Sequence, residues 1–310
     1  MPAINPALAT IARRRHGVIT KADALAHDVT VHQLRRSVER GELERLHPGV
    51  FRVAGAPRTW HQSLLLGVLA GGPTALASHR SAAVLWDLDG SRRGRPEIAA
   101  ERHRRARFER VRCHESKDLR LASPTELEGI ACTGLERTIV DLGAVLPPER
   151  VQQAIDDAIR RRLCTWDDLL HTLVMHSRRG RNGVGPLRAI LEECYGEQVP
   201  DSRFNRLVHR LLVDSGLPAP EFEHRVFDTT GKEIARVDLA FPGLMIAIEL
   251  DSRKYHLSAR AFESDRPRQN RLELQGWLVL RYTWRTYVDS PWAIVAEVRA
   301  SVRARTRGFI

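Results

Sequence analysis

The sequence predicts an α+β protein made of three consecutive segments: a helical module closed by a β-hairpin (residues 1–58), a mixed helical and β connector (59–195), and an α/β domain (201–308). Helix caps and apolar spacing predict the first segment. An order of helix, three strands, helix, strand and helix predicts the last. The 310 residues, 43% of them hydrophobic and 28% charged, suit two or more folded domains rather than a disordered chain.

The composition excludes several classes of protein. No apolar run approaches the ~20 residues that span a bilayer, and the longest, from Leu64 to Ala70, ends at Gly71. The N-terminus lacks the pattern of a secretory signal, so we expect a cytoplasmic protein with no membrane partner. The cysteines at 113, 132, 164 and 194 form no C-x-x-C pair, and we expect buried free thiols rather than a zinc ribbon or disulfides.

The positive charge is densest at the N-terminus. The formal net charge is +11 and the pI is about 10.3, which favours a polyanionic partner such as nucleic acid. The first sixty residues carry 10 basic and 5 acidic side chains. Only four of the 49 basic residues are lysines, so a general enrichment in arginine is the alternative explanation.

Local signals in the first segment predict three helices and a hairpin, the order of elements in a winged helix-turn-helix. Apolar residues recur at helical spacing, and threonines stand where N-caps are expected. The predicted elements are a first helix ending near Gly17, helices over 21–26 and 31–39 behind N-caps at Thr20 and Thr30, and a β-hairpin over 41–53 around His47-Pro48-Gly49.

The third of these helices is the predicted DNA reader. Val31, Leu34 and Val38 share its inward face, and its polar residues lie largely outside that stripe. In a winged helix this helix enters the major groove, where Arg binds guanine or phosphate and Gln binds adenine. The alternative is that these side chains only solvate an exposed helix face. The DNA-binding candidates are Gln33, Arg35, Arg36 and Arg40.

The first half of the chain resembles a known family. "GVIT" (17–20), "LRR" (34–36) and "GELERLHPGVFRV" (41–53) are similar to the N-terminal domain of the AbiEi-type antitoxins. "SHRSAAVLWDL" (78–88) and "TGLERTIVDL" (133–142) are similar to the segments that follow it in related bacterial proteins. The resemblance implies DNA binding, autoregulation and a cognate toxin as partner, and it does not imply an enzyme.

The connector shows little chemistry of its own. Residues 92–112 contain nine arginines, which predict either a second phosphate-contacting strip or a solvated hairpin. The loop over 176–186 lacks the phosphate-loop pattern, and we expect it to be a hinge. His16, His114 and His171 have no partner at metal-ligand spacing in the sequence, so we expect ordinary histidines there.

Two carboxylates in the last segment predict a metal site. A two-residue turn at Pro242-Gly243 would make Asp238 and Glu249 diagonal neighbours on one sheet face, with Cβ atoms roughly 7–8 Å apart. Such a pair could share Mg²⁺, which stabilises the charge developing on a phosphodiester. Lys254 and His256 follow within a few residues, where they could hold a phosphate or act as a base.

Structural roles for the same residues remain open at this stage. In that register Arg236 faces Glu249 directly, so an ion pair could occupy this carboxylate. Asp238 could accept a hydrogen bond from a neighbouring backbone amide. A register shift of one residue would place the two carboxylates on opposite faces.

The last segment also resembles a known family. "RVDLAFP" (236–242), "AIELDSRKYH" (247–256) and "DRPRQNRLELQGWLVLRYTW" (265–284) are similar to a bacterial domain related to the very-short-patch repair endonuclease, which has the restriction-endonuclease-like fold. The resemblance implies that Asp238 is the central metal ligand and that Glu249 and Asp251 are the acidic pair. It further implies that His256 is the base and that Asp265, Arg268 and Arg281 form a polar set behind the site.

Two departures from that family bear on activity. The family usually has Glu in an S-x-x-E pattern on its first helix, where this chain has Asn205. It usually has Gly after the second acidic residue, where this chain has Ser252. The amide of Asn205 brings no charge to a metal, and Ser252 in place of Gly would strain a tight turn. Both departures favour a domain that has lost catalysis.

These observations lead to two functional hypotheses. The first is a DNA-binding protein with a Mg²⁺-dependent endonuclease domain, acting in phage defence or DNA repair. The second is a non-enzymatic antitoxin-type transcriptional regulator with a degenerate nuclease-fold domain. DNA is the partner in both, and winged-helix regulators often form homodimers.

Overall fold

A computed structural model describes residues 5–101, 110–177, 182–195, 200–251 and 269–308 of the chain. It confirms the α+β class, because helices and sheets both recur along the sequence. The chain divides into two compact units, the first formed by residues 1–165 and 182–187 and the second by 166–181 and 188–310. In the described part of the chain, none of the helices has the length and apolar character needed to cross a membrane.

The N-terminal elements form a winged helix-turn-helix. Three helices pack on a three-stranded antiparallel sheet of order β1-β3-β2, in which β2 and β3 are the predicted hairpin. The second and third helices and their threonine caps lie where the sequence predicts them. The first helix is shorter than predicted, and β1 was not predicted. The elements are α1 (Pro6–Arg14), β1 (Val18–Thr20), α2 (Lys21–Ala26), α3 (Val31–Glu39), β2 (Leu43–His47) and β3 (Val50–Val53).

Strand β1 is buried on both faces, which is why no alternating pattern reveals it. Ile19 and Phe51 pack into the core of the winged helix. Val18 and Val50 pack on the opposite side, into the core of the connector. The small sheet therefore joins the winged helix and the connector into one unit. Gly17 permits the turn into β1, because its φ is +82° and a Cβ there would lie 2.4 Å from Cβ of Ala56.

The connector contains a five-stranded sheet of order β6-β5-β4-β8-β7. The hairpin alternative for residues 92–112 is wrong, because β5 and β6 pair in parallel and Glu97 to Ala100 are buried. Parallel neighbours cannot be joined by a tight turn. Residues 102–109, between the two strands, lie outside the described residues. The strands are β4 (Leu76–Ala77), β5 (Glu97–Glu101), β6 (Arg112–Ser116), β7 (Thr125–Leu127) and β8 (Ile130–Cys132).

Four helices pack with this sheet in the first unit. The sheet and the helix that begins at Trp60 share one apolar core, which includes Leu64, Ile98 and Ile130. Among the described cysteines, Cys132 and Cys164 are buried as predicted and Cys113 is half-buried, and the thiols of Cys113 and Cys132 are free. The helices are α4 (Trp60–Gly71), α5 (His79–Leu85), α6 (Leu135–Leu142) and α7 (Pro148–Arg160).

The second unit is built around a four-stranded sheet of order β12-β11-β10-β9. Strands β9, β10 and β11 are antiparallel neighbours, and β12 runs parallel to β11. The order of elements from 201 is the predicted one as far as the last strand, after which two helices follow instead of one. The strands are β9 (Glu221–Phe227), β10 (Glu233–Phe241), β11 (Ile246–Asp251) and β12 (Leu278–Thr283).

The first helix predicted in the last segment is present in the second unit over Asp201–Asp214. His171 is buried, and its Nε2 atom lies 2.8 Å from Oδ2 of Asp214. A helix over 269–274 ends before Gly276. The helices are α8 (Trp166–His176), α9 (Val184–Tyr195, whose first turn belongs to the first unit), α10 (Asp201–Asp214), α11 (269–274), α12 (Trp284–Asp289) and α13 (Pro291–Gly308).

The predicted register of the β10–β11 hairpin is wrong by two residues. Phe241 pairs with Ile246 rather than with Leu244. The turn is a 3₁₀ helix over Pro242–Leu244, followed by Met245 in the left-handed conformation at φ +53°. A shift of two preserves the alternation of faces, so every side chain keeps its predicted face while its cross-strand partner changes.

Candidate functional site

The outer face of α3 is the strongest candidate for a nucleic-acid interface. Leu34 is buried and Val38 is partly buried against the winged-helix core, so these two residues anchor the helix as predicted. Val31 does not join them, since it is 52% exposed in the first turn. Arg35 and Arg36 are exposed, on the side that faces away from the core.

Gln33 has a structural contact that the sequence analysis did not anticipate. Its side-chain oxygen accepts a hydrogen bond of 2.7 Å from the backbone N–H of Thr30, and the Thr30 hydroxyl accepts one of 3.2 Å from the N–H of Gln33. This reciprocal pair is a capping box at the start of α3. A bidentate contact to adenine needs the same side-chain oxygen, so base reading by Gln33 would require opening the cap.

The two arginines of α3 and Arg40, which follows its last residue, differ in their partners. Nε of Arg35 donates to Oε1 of Glu39 at 2.9 Å, and Nε of Arg40 lies 2.7 Å from Oε1 of Glu42. The hydrogen bonds from Arg40 and Ser37 lower the pKa of Glu42. Arg36 forms no side-chain hydrogen bond or ion pair with another described residue. Its guanidinium is therefore the one on α3 that a phosphate could reach without displacing a carboxylate.

The wing, formed by β2 and β3, has one exposed and one buried arginine. Arg45 on β2 is exposed beside the turn of the hairpin. Arg52 on β3 is 7% exposed and is held between Glu44 and Gln62, so it orders the hairpin and is not available to a ligand. The exposed basic side chains of the winged helix are Arg13, Arg14, Lys21, Arg35, Arg36, Arg40, Arg45 and Arg58.

The second candidate site lies in the four-stranded sheet, around Asp238 on β10. The observed register pairs Leu239 with Ile248, so one residue further Asp238 stands opposite Glu249. Directly opposite side chains have Cβ atoms about 4.5–5.5 Å apart, which is closer than the predicted diagonal relation. The two carboxylates therefore share one face and adjoin each other.

Hydrogen bonds already occupy both oxygens of Asp238. Oδ2 accepts from the backbone N–H of Leu250 at 2.8 Å, which is the amide contact that the sequence left open as a structural role. Oδ1 accepts from Nδ2 of Asn205 at 3.1 Å. Asp238 thus joins α10 to β10 and β11, whatever else it binds.

Glu249 is on β11, which has β10 on one side and β12 on the other. The suggested ion pair with Arg236 is wrong, because the guanidinium of Arg236 faces Glu223 at 3.7 Å. Arg281 on β12 takes that place, with Nη2 at 3.1 Å from Oε2 of Glu249. Asp251, two residues further along β11, is exposed. The structure therefore brings together Asp238, Glu249 and Arg281 from the predicted set.

Asn205 is the side chain at this site whose contact the sequence did not predict. It is 5% exposed on α10, and its Oδ1 has no hydrogen-bond partner among the described residues. In the sequence, the S-x-x-N pattern marks Asn205 only as a departure from a family. A polar residue among apolar ones on a core-facing helix was the available signal of a buried polar contact. Lys254, His256, Asp265, Arg268 and Ser252 lie outside the described residues.

The geometry therefore defines a protein with a winged helix that exposes a basic third helix. Residues 6–54 match the model of a family described as "Transcriptional regulator, AbiEi antitoxin". The chain thus has an AbiEi-type domain at its N-terminus, as predicted, and this supports a DNA-binding regulator. The match ends at the last residues of the winged helix and does not reach the four-stranded sheet.

Most of the chain is also similar in sequence to proteins whose names do not state a function. Two uncharacterized proteins from two strains of Mycobacterium tuberculosis are each 26% identical to this chain over 294 residues, which is 90% of this chain and 100% of the relative. The crystal structure of the RV2827C protein from Mycobacterium tuberculosis shares 19% identity and covers 68% of this chain and 76% of its own, with a TM-score of 0.31.

Proposed function

We propose that this protein is an antitoxin-type transcriptional regulator that binds double-stranded DNA through α3 and the wing. The observation that carries the proposal is the exposed guanidinium of Arg36 on the outer face of α3, inside a domain that matches a regulator family over residues 6–54. An α-helix with its side chains is about 10–12 Å in diameter, which fits a major groove about 12 Å wide.

The ion pairs on α3 are compatible with DNA binding. Arg35 and Glu39 are both well exposed, and an exposed pair of this kind contributes only about 0–1 kcal/mol. A phosphate can therefore replace Glu39 as the partner of Arg35 at little cost. The exchange is less favourable for Arg40, because the side chain of its partner Glu42 is only 9% exposed and would lose its cation.

The family description supplies two further proposals about partners. An antitoxin implies a cognate toxin protein. The toxin would bind a surface other than α3 and the wing, which we assign to DNA. A homodimer would place two copies of α3 one helical turn of DNA apart, so the operator would be a palindrome with half-sites about 34–36 Å apart.

The test is a binding titration with the purified full chain and a labelled duplex from upstream of its own gene, at several salt concentrations. Arg36→Ala should weaken binding by about 1–3 kcal/mol. It should also reduce the magnitude of the slope of log K against log salt by about 1, which corresponds to one lost phosphate contact. Arg120→Ala is the matched control, since Arg120 is also exposed and forms no side-chain contact with another described residue. Equal affinities of the two variants would refute the role of α3.

We infer a second candidate function, metal-dependent cleavage of DNA, from the register of the β10–β11 hairpin. That register sets Asp238 opposite Glu249, and oxygen ligands of this kind are the ones that Mg²⁺ prefers. The partnerless Oδ1 of buried Asn205 is a third oxygen of the same class. When bound, Mg²⁺ would supply electrostatic stabilisation of the charge that develops on the phosphodiester.

The protein's own residues would have defined roles in such a site. Asp238 and Glu249 would hold the ion, and Arg281 would orient Glu249 through their 3.1 Å contact. The amide of Asn205 would present its oxygen by rotating about its terminal bond, which exchanges the positions of Oδ1 and Nδ2. Because Asn205 adds no charge, we expect weaker metal affinity than with Glu at this position.

The second test uses supercoiled plasmid and a single-stranded oligonucleotide, each with Mg²⁺, Mn²⁺ or EDTA. Nicking that needs the metal and is lost in Asp238→Asn, but not in the control Asp156→Asn, would support the nuclease. Asn205→Glu restores the charge and should strengthen any cleavage. If the wild type and Asn205→Glu both leave the DNA intact while binding it, the protein is a regulator without nuclease activity.

A further inference from the structure

Three side chains from separate places in the first unit meet beside the connector sheet. His79 begins α5 directly after β4, Glu97 begins β5, and His114 lies on β6. The parallel register pairs Ala99 with His114, so Glu97 and His114 are diagonal neighbours on the same face of the sheet. We refer to His79, Glu97 and His114 as the HEH cluster.

The metal-ligating atoms of the HEH cluster lie close together. One such atom from each residue can be chosen so that all three are within 4.8 Å of one another. Nε2 of His114 lies 3.1 Å from Oε2 of Glu97. The ring centroids of His79 and His114 are 3.6 Å apart, and the planes differ by 16°.

Neighbouring polar groups hold each member of the cluster in place. The Ser78 hydroxyl lies 2.9 Å from Nδ1 of His79, and Nη1 of Arg80 donates to Oε1 of Glu97 at 2.8 Å. Arg80 and His114 therefore contact one carboxylate oxygen of Glu97 each, and they fix its orientation.

Two members of the cluster are buried and His114 is half-buried. His79 is 5% exposed and Glu97 is 3% exposed. His79 also has a left-handed backbone, with φ +51° at the first position of α5. A non-glycine residue in this conformation is strained, and such residues tend to occur at functional sites.

From these contacts we propose that the HEH cluster is a binding site for a divalent transition-metal ion of the zinc class. His79 and His114 would each contribute one imidazole nitrogen and Glu97 one carboxylate oxygen, with a water molecule or another group as the fourth ligand. Two histidines and one glutamate form a known zinc ligand set. This proposal does not depend on DNA binding or on cleavage.

The spacing of the atoms suits a tetrahedral ion. With zinc–ligand distances of about 2.0–2.1 Å, ligand atoms in a tetrahedron lie about 3.3 Å apart. The pair formed by His114 Nε2 and Glu97 Oε2 already has this separation at 3.1 Å. A metal ion would replace the proton that these two atoms share. In a neutral His114 that proton would pass through solvent to Nδ1, and in a protonated His114, which already carries a proton on Nδ1, it would be released to solvent. The ring of His79 would tilt from its stacked position to bring a nitrogen to the ion.

The contacts around the cluster match what metal sites need from their surroundings. Ligating histidines usually have their other ring nitrogen held by a polar group, and ligating carboxylates are also hydrogen-bonded. Ser78 serves the first purpose for His79, which assigns Nε2 to the metal, and Arg80 serves the second for Glu97. Imidazole ligands favour zinc and its neighbours over Mg²⁺ or Ca²⁺.

The experiment is metal binding by the full chain, without an affinity tag and stripped of metal by a chelator. We expect one Zn²⁺ per chain in competition with a chromophoric chelator, and visible absorption bands when Co²⁺ is used instead. A concentration of Zn²⁺ 100 times the dissociation constant should raise the unfolding midpoint by about 5–10 °C.

The variants separate ligands from packing residues. His114→Gln and Glu97→Gln should each lower the affinity for Zn²⁺ by at least 100-fold. His114→Cys should retain Co²⁺ and add a near-ultraviolet thiolate-to-metal band, since a thiolate is also a ligand for this class of metal. Because unfolding would expose the other cysteines to Co²⁺, the signal counts only if the variant unfolds at the wild-type midpoint and the wild type lacks the band.

The matched control is His61→Gln, in the same unit. His61 stacks on His16 at 4.9 Å and pairs with Glu128 at 3.1 Å, so it shares the residue types of the HEH cluster without belonging to it. His61→Gln should bind Zn²⁺ like the wild type. The proposal is overturned if the wild type takes up no Zn²⁺ in the competition, if His114→Gln binds as tightly as His61→Gln, or if His114→Cys shows no thiolate band with Co²⁺.

Discussion

Replacing Arg137 by Met should strongly destabilise the first unit. Arg137 is 2% exposed on α6 and serves two carboxylates, Asp118 and Asp141, which are 4% and 0% exposed. Its Nε donates to Asp141 at 2.9 Å, while Nη2 contacts Asp118 at 3.3 Å and the Ser116 hydroxyl at 3.2 Å. Met has similar length but no charge, so the variant keeps most of the packing and removes every one of these contacts.

The expected magnitude follows from burial. Removing one partner of a buried ion pair costs about 3–5 kcal/mol, because the remaining charge is left uncompensated. Here two carboxylates lose the same cation, so the upper part of that range applies. Each 1.4 kcal/mol changes an equilibrium tenfold, so a loss of about 4–5 kcal/mol should make amides of α6 that exchange through opening of the unit exchange about 700 to 4,000 times faster.

Hydrogen exchange detected by mass spectrometry measures this locally, on peptides covering 135–142. Arg35→Met is the control, because it makes the same chemical change in the exposed pair with Glu39 and should alter stability by less than about 1 kcal/mol. Adding Asp118→Asn and Asp141→Asn to the Arg137 variant should recover part of the loss. Exchange in Arg137→Met within tenfold of that in Arg35→Met would refute the reasoning.

Three further predictions concern single side chains. Thr30→Ala removes the capping box of α3 and should cost about 1 kcal/mol, measured as a lower unfolding midpoint that Thr30→Ser restores. Burial, followed by the charge of Arg210, lowers the pKa of His171 to about 4 from its ordinary 6.5, so the unfolded chain binds more protons between these values. Stability should therefore be fully present above about pH 6.5 and fall towards pH 4 in urea titrations, and His171→Gln should reduce that fall. Burial raises the pKa of the Cys132 thiol to about 12, so peptide mapping after alkylation at neutral pH should find Cys113 modified before Cys132.

The winged helix was largely predictable because its signals are local. Thr20 and Thr30 each cap a helix through an acidic or amide residue three positions later, a pattern contained within four consecutive residues. The hairpin is marked by its Pro-Gly turn in the same way. Strand β1 escaped because Val18 and Ile19 are both fully buried, so the two-residue alternation on which strand prediction rests is missing.

The HEH cluster was not predictable, since its members belong to three different elements. His114 has no histidine or acidic partner at a ligand spacing, and its neighbours in space are 17 and 35 positions earlier in the chain. The parallel pairing of β5 with β6 brings it to Glu97. A long connection between parallel strands leaves no local sequence signal for their register.

The acidic site shows where the sequence stops and the tertiary structure takes over. The alternation of residues along β10 and β11 determined that Asp238 and Glu249 share a face, and any even register shift preserves this. Whether they are diagonal or directly opposite depended on the length of the turn, which Met245 extends by adopting a left-handed conformation. Packing of α10 and β12 then decided the partners, Asn205 for Asp238 and Arg281 for Glu249. Periodicity is a property of the chain itself, whereas turn length and partner choice result from the free energy of the whole packed unit.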